Sequence, residues 1–471
     1  MARTDRRRFL KLSTTLAAAG LSRPLLGRAQ QVAGAEKAAL AVDCVVVGAG
    51  LSGLMAARTL VKEGYSRVLV LDARDRVGGR TLNQSVALGG YAEAGGQWIG
   101  PTQTAIAALM DELQIPSFPT YDAGAFVDDT TGGFGPLALL DYGQAQQTIN
   151  GLAAGIPLDA PWSAPDAASL DGMTVQQWMD ANMFTSGGKS LLALEVESTL
   201  GAAPAAVSML YFLFYVHSGT NLQHLSELAQ ESRIVGGSQS ISLAMAAQLG
   251  PRVRLNQAVE LIRHHEDRVV VETASLRVHA RRAVVAMMPK DVAKIAFDPV
   301  LPPERVALQD GWVGAPGAKF HAVYPTPFWR DQGKSGQAFS DTQFLALTFD
   351  NSPPDGTPGI LIGFPGDESS IPADPALRQQ LVLESFEHFF GPEAQQNVDY
   401  AEYLWQDDPW AGGCVSPLPP GFLTGFGPAL RTPVGPIHWA GTETSEVWCG
   451  YMDGAVRAGE RAALEVVAAL G

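Results

Sequence analysis

Three glycines near the start of the chain have the spacing of a phosphate-binding turn. Gly48, Gly50 and Gly53 form a G-x-G-x-x-G sequence, which allows a tight turn, close approach of the backbone to a pyrophosphate, and close packing of a helix on a strand. Asp72 ends the next predicted strand, where its carboxylate can accept hydrogen bonds from a ribose 2′-hydroxyl. These residues predict dinucleotide binding, and an acid at position 72 disfavours NADP, so NAD and FAD remain.

The elements around these glycines are those that such a turn requires. A β-branched run, Val45 to Val47, predicts a buried strand that stops at the first glycine. An Ala/Leu-rich segment from Leu54 to Glu63 predicts a helix, whose N-terminus would present N–H groups and a partial positive charge to phosphates. A second strand is predicted over Arg67 to Leu71. This β-α-β order indicates an α/β fold.

The next two segments resemble a second flavin-binding signature. Residues 75 to 81 (Asp-Arg-Val-Gly-Gly-Arg-Thr) and 93 to 98 (Glu-Ala-Gly-Gly-Gln-Trp) are similar to motifs of the flavin-containing amine oxidase family. The resemblance selects FAD and places Arg80 beside the flavin phosphate and ring region. Further cofactor contacts that it implies are Arg74, Gly79, Gly96, Gln97 and Trp98.

The resemblance also implies a domain organisation. A chain of 471 residues is too long for one core. We expect a Rossmann-like FAD-binding domain of the two-dinucleotide-binding type, discontinuous over residues 40–100, 233–289 and 405–471. A mixed α+β substrate domain would be interleaved with it, over residues 101–232 and 290–404.

The C-terminal block carries the second strong similarity. Residues 437 to 444 predict a strand ending in a glycine turn, and residues 448 to 455 open a helix that runs to Leu470. By resemblance, Glu443 binds the ribityl chain, and the backbone of Met452 at the helix N-terminus stabilises negative charge at flavin N1 and O2. In the family, the position of Val259 meets the adenine through its backbone.

Three residues are expected to carry the chemistry. Lys319 lies in an apolar strand, where a lysine must reach water or hold a specific partner; by resemblance it bonds through a water to flavin N5 and assists the reaction with oxygen. Tyr451 is expected in front of the flavin face. The family often has a second tyrosine after Gly-Gly-Cys, but Val415 stands there, so Trp405 or Trp410 is expected instead.

Cys414 matches the family cysteine that, in some monoamine oxidases, forms a thioether with the flavin 8α-methyl group. The alternative is an ordinary cysteine of the core. With Cys44 and Cys449 it makes up the three cysteines of the chain, which are too few for a disulfide framework and form no metal-binding pattern. The sequence leaves covalent attachment open and predicts no metal.

The resemblance implies an FAD-dependent oxidase that converts an amine to an imine by hydride transfer to flavin N5, with O2 as acceptor and H2O2 as product. The imine would hydrolyse to an aldehyde or ketone and ammonia. Alternatives are an L-amino acid oxidase, a periplasmic amine dehydrogenase that uses a redox carrier, or a non-catalytic flavin-binding protein. An amino acid oxidase needs an arginine for the carboxylate, and Arg233 and Arg330 have plainer explanations.

Composition and the N-terminus suggest where the protein acts. Apolar residues at 46% against 17% charged residues indicate an ordered globular chain, and a net charge of −15 argues against nucleic acid as a partner. Arg6, Arg7 and Arg8, followed by an Ala-rich run and Gly27-Arg28-Ala29, resemble a twin-arginine export signal over residues 1–29. That run is too short to span a bilayer. We therefore expect a soluble periplasmic or secreted protein that uses the twin-arginine machinery. The sequence leaves the oligomeric state, such as a dimer, open.

Overall fold

The structure is a computed structural model, and it describes residues 37–131 and 134–471. The predicted export signal lies outside the described residues. The strands, in chain order, are β1 (Ala38–Val47), β2 (Val68–Leu71), β3 (Asn83–Ser85), β4 (Tyr91–Glu93), β5 (Trp98–Ile99), β6 (Ser117–Pro119), β7 (Ala125–Asp129), β8 (Ser232–Ile234), β9 (Val253–Arg254), β10 (Val259–His264), β11 (Val269–Thr273), β12 (Leu276–Ala286), β13 (Ala296–Asp298), β14 (Ala318–Tyr324), β15 (Lys334–Ser340), β16 (Leu345–Asp350), β17 (Gly359–Pro365), β18 (Asp399–Leu404) and β19 (Ile437–Ala440).

The α-helices range from single turns to five turns. In chain order they are α1 (Leu51–Lys62), α2 (Thr104–Leu113), α3 (Pro136–Ala153), α4 (Ala167–Asp171), α5 (Val175–Asn182), α6 (Ser186–Leu200), α7 (Met209–Ser218), α8 (Leu222–Ser226), α9 (Gln239–Leu249), α10 (Pro289–Val292), α11 (Pro303–Gly311), α12 (Phe328–Asp331), α13 (Pro375–Phe390), α14 (Phe422–Phe426) and α15 (Met452–Leu470). None of the described helices has the length and apolar character needed to cross a bilayer.

The larger sheet contains the strand that the glycine motif follows. Its order is β13-β10-β11-β12-β1-β2-β9, and β19 also pairs with β12. Strand β1 is parallel to both β2 and β12, and β12 is parallel to β19, whereas β11 is antiparallel to its two neighbours. Val45, Val46 and Val47 of β1 are buried, so both faces of the strand are covered there, as expected of a central parallel strand. Parallel strands alternating with helices confirm the predicted α/β class.

The smaller sheet carries the predicted lysine. Its order is β18-β14-β17-β16-β15-β7, and all of its pairs are antiparallel except β15 with β7. Lys319 lies on β14 opposite Tyr403 of β18. Residues 37 to 471 form one compact unit, so the predicted domain boundaries stay a prediction.

The aromatic run on α7 is part of the core. Tyr211, Phe212, Phe214 and Tyr215 are each at most 4% exposed and belong to the apolar cluster that fills the helical region. Ser208 caps this helix by accepting from the N–H of Tyr211. Through Tyr215, helix α7 packs against Tyr451, in the segment that precedes α15.

Candidate active site

The glycine motif is shaped as the sequence predicts. Gly48 has φ +103°, and a Cβ atom there would lie 2.7 Å from the carbonyl oxygen of Ala286. A Cβ atom at Gly53 would lie 1.9 Å from the carbonyl oxygen of Gly48, so only glycine lets α1 approach the turn this closely. Gly50 precedes α1 without a side-chain cap, and the first helical turn has no acid. The N–H groups at the N-terminus of α1 are therefore available to an anion.

The second glycine pair lies directly beside the first motif. The N–H of Gly78 donates to the carbonyl of Ala49 (2.9 Å), and a Cβ atom at Gly79 would lie 3.3 Å from the Cα of Gly50. Two signatures that are about 30 residues apart in sequence thus form one cradle. Glycine residues on both sides of the cradle leave the backbone without side chains, which suits the close approach of a pyrophosphate.

Asp72 supports the turn. It is 6% exposed, and its carboxylate accepts from the N–H of Ala49 (2.6 Å) and of Arg74 (2.9 Å). Burial raises its pKa, against these backbone hydrogen bonds, which lower it. Each carboxylate oxygen keeps a second lone pair, so Asp72 can still accept from a ribose hydroxyl. This contact stays a prediction.

Arg74 and Val259 lie at this same end of the larger sheet. The guanidinium of Arg74 pairs with Asp408 at 2.7 Å, which occupies part of its donor set. The carbonyl of Arg74 accepts from the N–H of Asn256 (2.8 Å), and Val259 follows at the start of β10. Their predicted contacts with the cofactor stay predictions.

Arg80 and Glu443 join the two ends of the chain. Nη2 of Arg80 lies 2.6 Å from Oε1 of Glu443, and Nη1 donates to the carbonyl of Cys414 (3.0 Å). Burial favours a lower pKa for Arg80, but the attraction of Glu443 outweighs it and raises the pKa. Glu443 is 3% exposed. Apart from this ion pair, neither of its oxygens has a hydrogen-bond donor among the described residues.

Lys319 is held by the segment that carries the second flavin signature. Its ammonium donates to the carbonyls of Glu93 (3.3 Å) and Gly95 (2.6 Å) and to the side-chain oxygen of Gln97. It also lies 5.2 Å from the ring centre of Trp98. Burial lowers the pKa of Lys319 to about 8, although Glu93 acts to raise it. Of the two alternatives, contact with water or a specific partner, the structure shows specific partners, and the water-mediated contact with flavin N5 stays a prediction.

A buried ion pair fixes the backbone that Lys319 binds. The carboxylate of Glu93 accepts two hydrogen bonds from Arg233, at 3.1 and 2.8 Å, and a third from the N–H of Ser238 (3.0 Å). Both partners are at most 2% exposed. Arg330 is likewise engaged, with Asp350 at 2.7 Å. Neither arginine is thus available for a substrate carboxylate.

Gln97 and Trp98 connect this segment to the smaller sheet. The amide nitrogen of Gln97 donates to Oδ1 of Asn351 (2.8 Å). The ring of Trp98 packs edge-on against Phe349, with the ring centres 5.1 Å apart. Since Gln97 also accepts from Lys319, its amide has a defined orientation, oxygen toward the ammonium.

Tyr451 directly precedes the last helix. Its ring lies 4.8 Å from that of Trp448 and 6.1 Å from that of Tyr215, and burial raises the pKa of its phenol. Met452 begins α15, and a Cβ atom at Gly96 would lie 3.7 Å from the Met452 side chain. The predicted C-terminal motif therefore meets the second flavin signature.

Trp405 binds the same backbone segment as Lys319. It is 2% exposed, and its indole N–H donates to the carbonyl of Ala94 (2.8 Å), between the two carbonyls that Lys319 binds. Trp410, the alternative, is 40% exposed. Among the described residues, the rings of Trp405 and Tyr451 form no stacked or edge-on pair, so the role of Trp405 as the second aromatic stays a prediction.

Cys414 is exposed, unlike Cys44 and Cys449, which are buried. This exposure favours a functional role over packing in the core, and covalent attachment stays a prediction. The N–H of Cys414 donates to the carbonyl of Ala315 (2.9 Å), and its own carbonyl is bound by Arg80. The backbone of this cysteine is thus tied to the Arg80 and Glu443 pair.

These groups fit FAD. The glycine cradle and the helix N-terminus suit its pyrophosphate. The buried carboxylate of Glu443, short of donors, suits the hydroxyls of a ribityl chain. The family model described as "flavin containing amine oxidoreductase" matches residues 51–467.

The chain belongs to this family. A protein of Mycobacterium tuberculosis named as a flavin-containing monoamine oxidase is 43% identical over 445 residues, which cover 91% of this chain and 97% of that protein. Amine oxidase A of the horse, Equus caballus, is 35% identical over 93% of this chain and 88% of its own length.

Two solved structures share the fold of this amine oxidase. Putrescine oxidase bound to putrescine has a TM-score of 0.87 and 32% identity, covering 92% of this chain and 100% of the other. Cyclohexylamine oxidase from Brevibacterium oxydans has a TM-score of 0.85 and 34% identity, with coverages of 91% and 99%. The predictions of the family, of FAD and of amine oxidation are confirmed. The roles of individual residues stay predictions.

Two residues that stabilise the amine oxidase site, Asp453 and Asn351, were not predicted from the sequence. Asp453, buried in the first turn of α15, accepts from the N–H groups of Ala105 (2.7 Å) and Ile106 (2.9 Å) and so caps α2. Asn351 orients Gln97. The only local signal was an acid in a first helical turn, which ordinarily indicates interaction with its own helix dipole.

Proposed function

We propose that this amine oxidase takes a neutral amine, transfers a hydride from its α-carbon and uses O2 as the final acceptor. When bound, FAD supplies the hydride acceptor and passes the electrons to O2, giving H2O2. The imine hydrolyses to an aldehyde or ketone and ammonia. The observation that carries this proposal is the position of Lys319, a half-buried residue whose ammonium is held by three oxygens of the flavin signature segment.

The residues of the chain have separate tasks in this proposal. Tyr451 packs on Trp448 and Tyr215 and offers an apolar slot that favours the unprotonated amine. Lys319 supplies a positive charge for the oxygen step; its bond to the Glu93 carbonyl, the longest at 3.3 Å, is the one that most readily yields to a water. No side chain acts as a strong base.

The substrate class can be tested by anaerobic titration. Primary, secondary, diamine and amino-acid substrates are each mixed with the yellow protein, and bleaching of the bound FAD is followed. We expect bleaching with amines and none with amino acids, because Arg233 and Arg330 are engaged by Glu93 and Asp350. Re-oxidation by air should be fast; slow re-oxidation would favour the dehydrogenase alternative.

We also propose that Cys414 holds the flavin through a thioether to the 8α-methyl group, since Cys414 is exposed on a backbone that Arg80 and Glu443 fix. Forming this bond would remove the thiol proton and one methyl hydrogen, and the two electrons released would pass to the flavin ring and from there to O2. Acid precipitation of the wild-type protein should leave the yellow colour in the pellet. Cys414→Ala should release the colour into the supernatant, while Cys449→Ala, a change at a buried cysteine, should not. An intact mass without added flavin would contradict the link.

For the location of the protein, we propose export by the twin-arginine route, supported by the sequence of residues 1–29. Replacing Arg6 and Arg7 together with lysine should retain the protein in the cytoplasm of a bacterial host. The wild type should appear in the periplasm with an N-terminus just after Ala29. Equal distribution of the two proteins would contradict the proposal.

A further inference from the structure

One carboxylate binds the strand that contacts Cys414 but has no part in the site described so far. Glu368 lies three residues after β17, and its Oε1 accepts from the N–H of Ala318 (3.1 Å) at the start of β14. Its Oε2 is buried, and no described residue donates a hydrogen bond to it. Among the described residues, no Lys, Arg or His forms a salt bridge with Glu368. One oxygen of this carboxylate is therefore free to accept a proton.

The segment that Glu368 binds also contacts Cys414. Gly317 directly precedes Ala318, and a Cβ atom at Gly317 would lie 2.9 Å from Cβ and 3.6 Å from Sγ of Cys414. The N–H of Cys414 donates to the carbonyl of Ala315 on the same segment (2.9 Å). Consecutive Cα atoms are about 3.8 Å apart. The carboxyl group of Glu368 and the thiol of Cys414 are thus placed against adjacent residues of one short segment.

Glu368 has the pKa of a general base that works near neutral pH. Burial raises its pKa to about 7, the N–H of Ala318 acts to lower it, and the charge of Asp367 raises it further. A general base is most effective when its pKa lies near the pH at which it works. Glu197, an exposed residue of α6, is a further acid of this region, since burial and the charge of Asp367 raise its pKa.

The thiol of Cys414 needs such a base. Desolvation by the surrounding protein raises its pKa, the positive charges of Arg80 and Lys319 act to lower it, and the carboxylate of Glu368 raises it. The thiolate, not the thiol, is the nucleophile, and a raised pKa makes the thiolate scarce at neutral pH. The two cations stabilise the thiolate once it forms, and the adjacent carboxylate can take its proton.

We propose that Glu368 is the general base that takes the thiol proton of Cys414 when the flavin thioether forms. The proposal rests on the thioether of the proposed function. The sulfur of Cys414 forms a bond to the 8α carbon of the bound FAD, and that carbon loses one hydrogen as a proton. Two electrons pass to the flavin ring and from there to O2, which takes up two protons and leaves as H2O2. Glu368 then returns its proton to water.

The test follows attachment of the flavin rather than turnover. Full-length protein from a riboflavin-limited host is mixed with FAD in air, and flavin fluorescence is measured in acid-precipitated pellets over time. In the wild type, the attachment rate should rise with pH through about 7, because Glu368 is ionised above its pKa. Glu368→Gln should attach flavin about 100-fold more slowly, the lower end of the effect of a general base, and without this rise.

Two controls exclude a structural effect. Absorbance at 450 nm after gel filtration measures bound FAD, which Glu368→Gln should leave unchanged, because the carboxylate acts on the thiol. Glu197→Gln removes the exposed acid of α6 and should attach flavin within twofold of the wild type. If the Gln variant binds FAD poorly, Glu368→Ala takes its place, and added formate should restore attachment in it, whereas chloride should not.

Three results would overturn the proposal. Attachment by Glu368→Gln at the wild-type rate, or with the same rise near pH 7, would show that another group takes the proton. Equal slowing by Glu197→Gln would show that these acids act through their overall charge. A wild type that never retains flavin in the pellet would remove the thioether and this proposal with it, whereas bleaching of FAD by amines tests amine oxidation separately.

Discussion

Replacing Lys319 with methionine will slow the reaction of the reduced enzyme with oxygen by about 100-fold, a typical effect of removing one preorganised electrostatic group. Reduction of the bound FAD by amine should stay within threefold, because the proposed hydride transfer needs no base. The ammonium is held by hydrogen bonds to Gly95 and Gln97, so its positive charge has a defined position in the site. Stopped-flow mixing, first with amine under nitrogen and then with oxygenated buffer, measures the two steps separately.

The pH dependence of the oxygen step follows from the same lysine. Burial lowers the pKa of Lys319 to about 8, with Glu93 acting to raise it and Arg233 to lower it. Below this pH the side chain is charged, and above it the charge is lost. The rate constant for the reaction with oxygen should therefore fall as pH rises through about 8 in the wild type. In the methionine variant this dependence should disappear.

A second lysine of the same sheet gives the matched control. Lys334, on β15, also donates to a backbone carbonyl, that of Phe389 at 2.7 Å, but it lies outside the site. Lys334→Met should leave both half-reactions unchanged. If Lys319→Met slows reduction and re-oxidation equally, Lys319 is a structural residue of the site and its proposed role in the oxygen step is wrong.

Helix α1 shows how far local sequence signals carry. The glycine spacing predicts both the turn and the helix, but the helix begins at Leu51 rather than at Leu54. Glycine is a poor helix former, so Gly53 argued for a later start. Packing reverses this preference, because a Cβ atom at Gly53 would lie 1.9 Å from the carbonyl of Gly48. The phosphate-binding turn could be predicted from the sequence, but the first residue of the helix could not.

Helix α6 shows a stronger limit. It begins with Ser-Gly-Gly, which favours a loop over a helix. A local N-cap and a long-range contact stabilise its start: Thr185 accepts from the N–H of Gly188, and Asp141 of α3 accepts from the N–H and the hydroxyl of Thr185. No local pattern predicts a contact with a side chain 44 residues earlier, so the start of this helix could not be predicted from the sequence.

For the site, too, the sequence predicts some features and not others. Motif spacing predicts which residues take part, since glycine turns and helix starts are local. Partners depend on how the smaller sheet packs on residues 93 to 98. Lys319 in an apolar strand predicts that some partner exists, but Gln97 is 222 residues away, and the ion pair of Glu93 with Arg233 joins residues 140 apart. Their identity follows from tertiary packing alone.

Replacing Glu443 with leucine will remove FAD from the protein and lower the free energy of unfolding by about 3 kcal/mol, the lower end of the range for breaking a buried ion pair. The lower end applies because Arg80 keeps 27% of its side-chain surface exposed. The loss of FAD has a separate cause, since the carboxylate oxygens are the proposed acceptors for the ribityl hydroxyls. The ratio of absorbance at 450 and 280 nm measures cofactor content, and urea unfolding measures stability.

Glu446 supplies the control. It pairs with Arg431 at 3.1 Å and keeps 43% of its side-chain surface exposed, and exposed ion pairs contribute at most about 1 kcal/mol. Glu446→Leu should therefore retain FAD and unfold close to the wild type. A Glu443→Leu protein that still purified with a full complement of FAD would contradict the role given to this residue.

A double variant separates stability from cofactor binding. In Arg80→Met with Glu443→Leu, no charge is left unpaired, and replacing a buried pair by apolar side chains is often neutral or stabilising. The apoprotein should recover most of the lost stability. FAD content should stay low, because the carboxylate of Glu443 and the predicted flavin contact of Arg80 are both missing. If FAD returns with stability, the single variant lost its cofactor only because the fold was weakened, and Glu443 acts through Arg80 rather than on the ribityl chain.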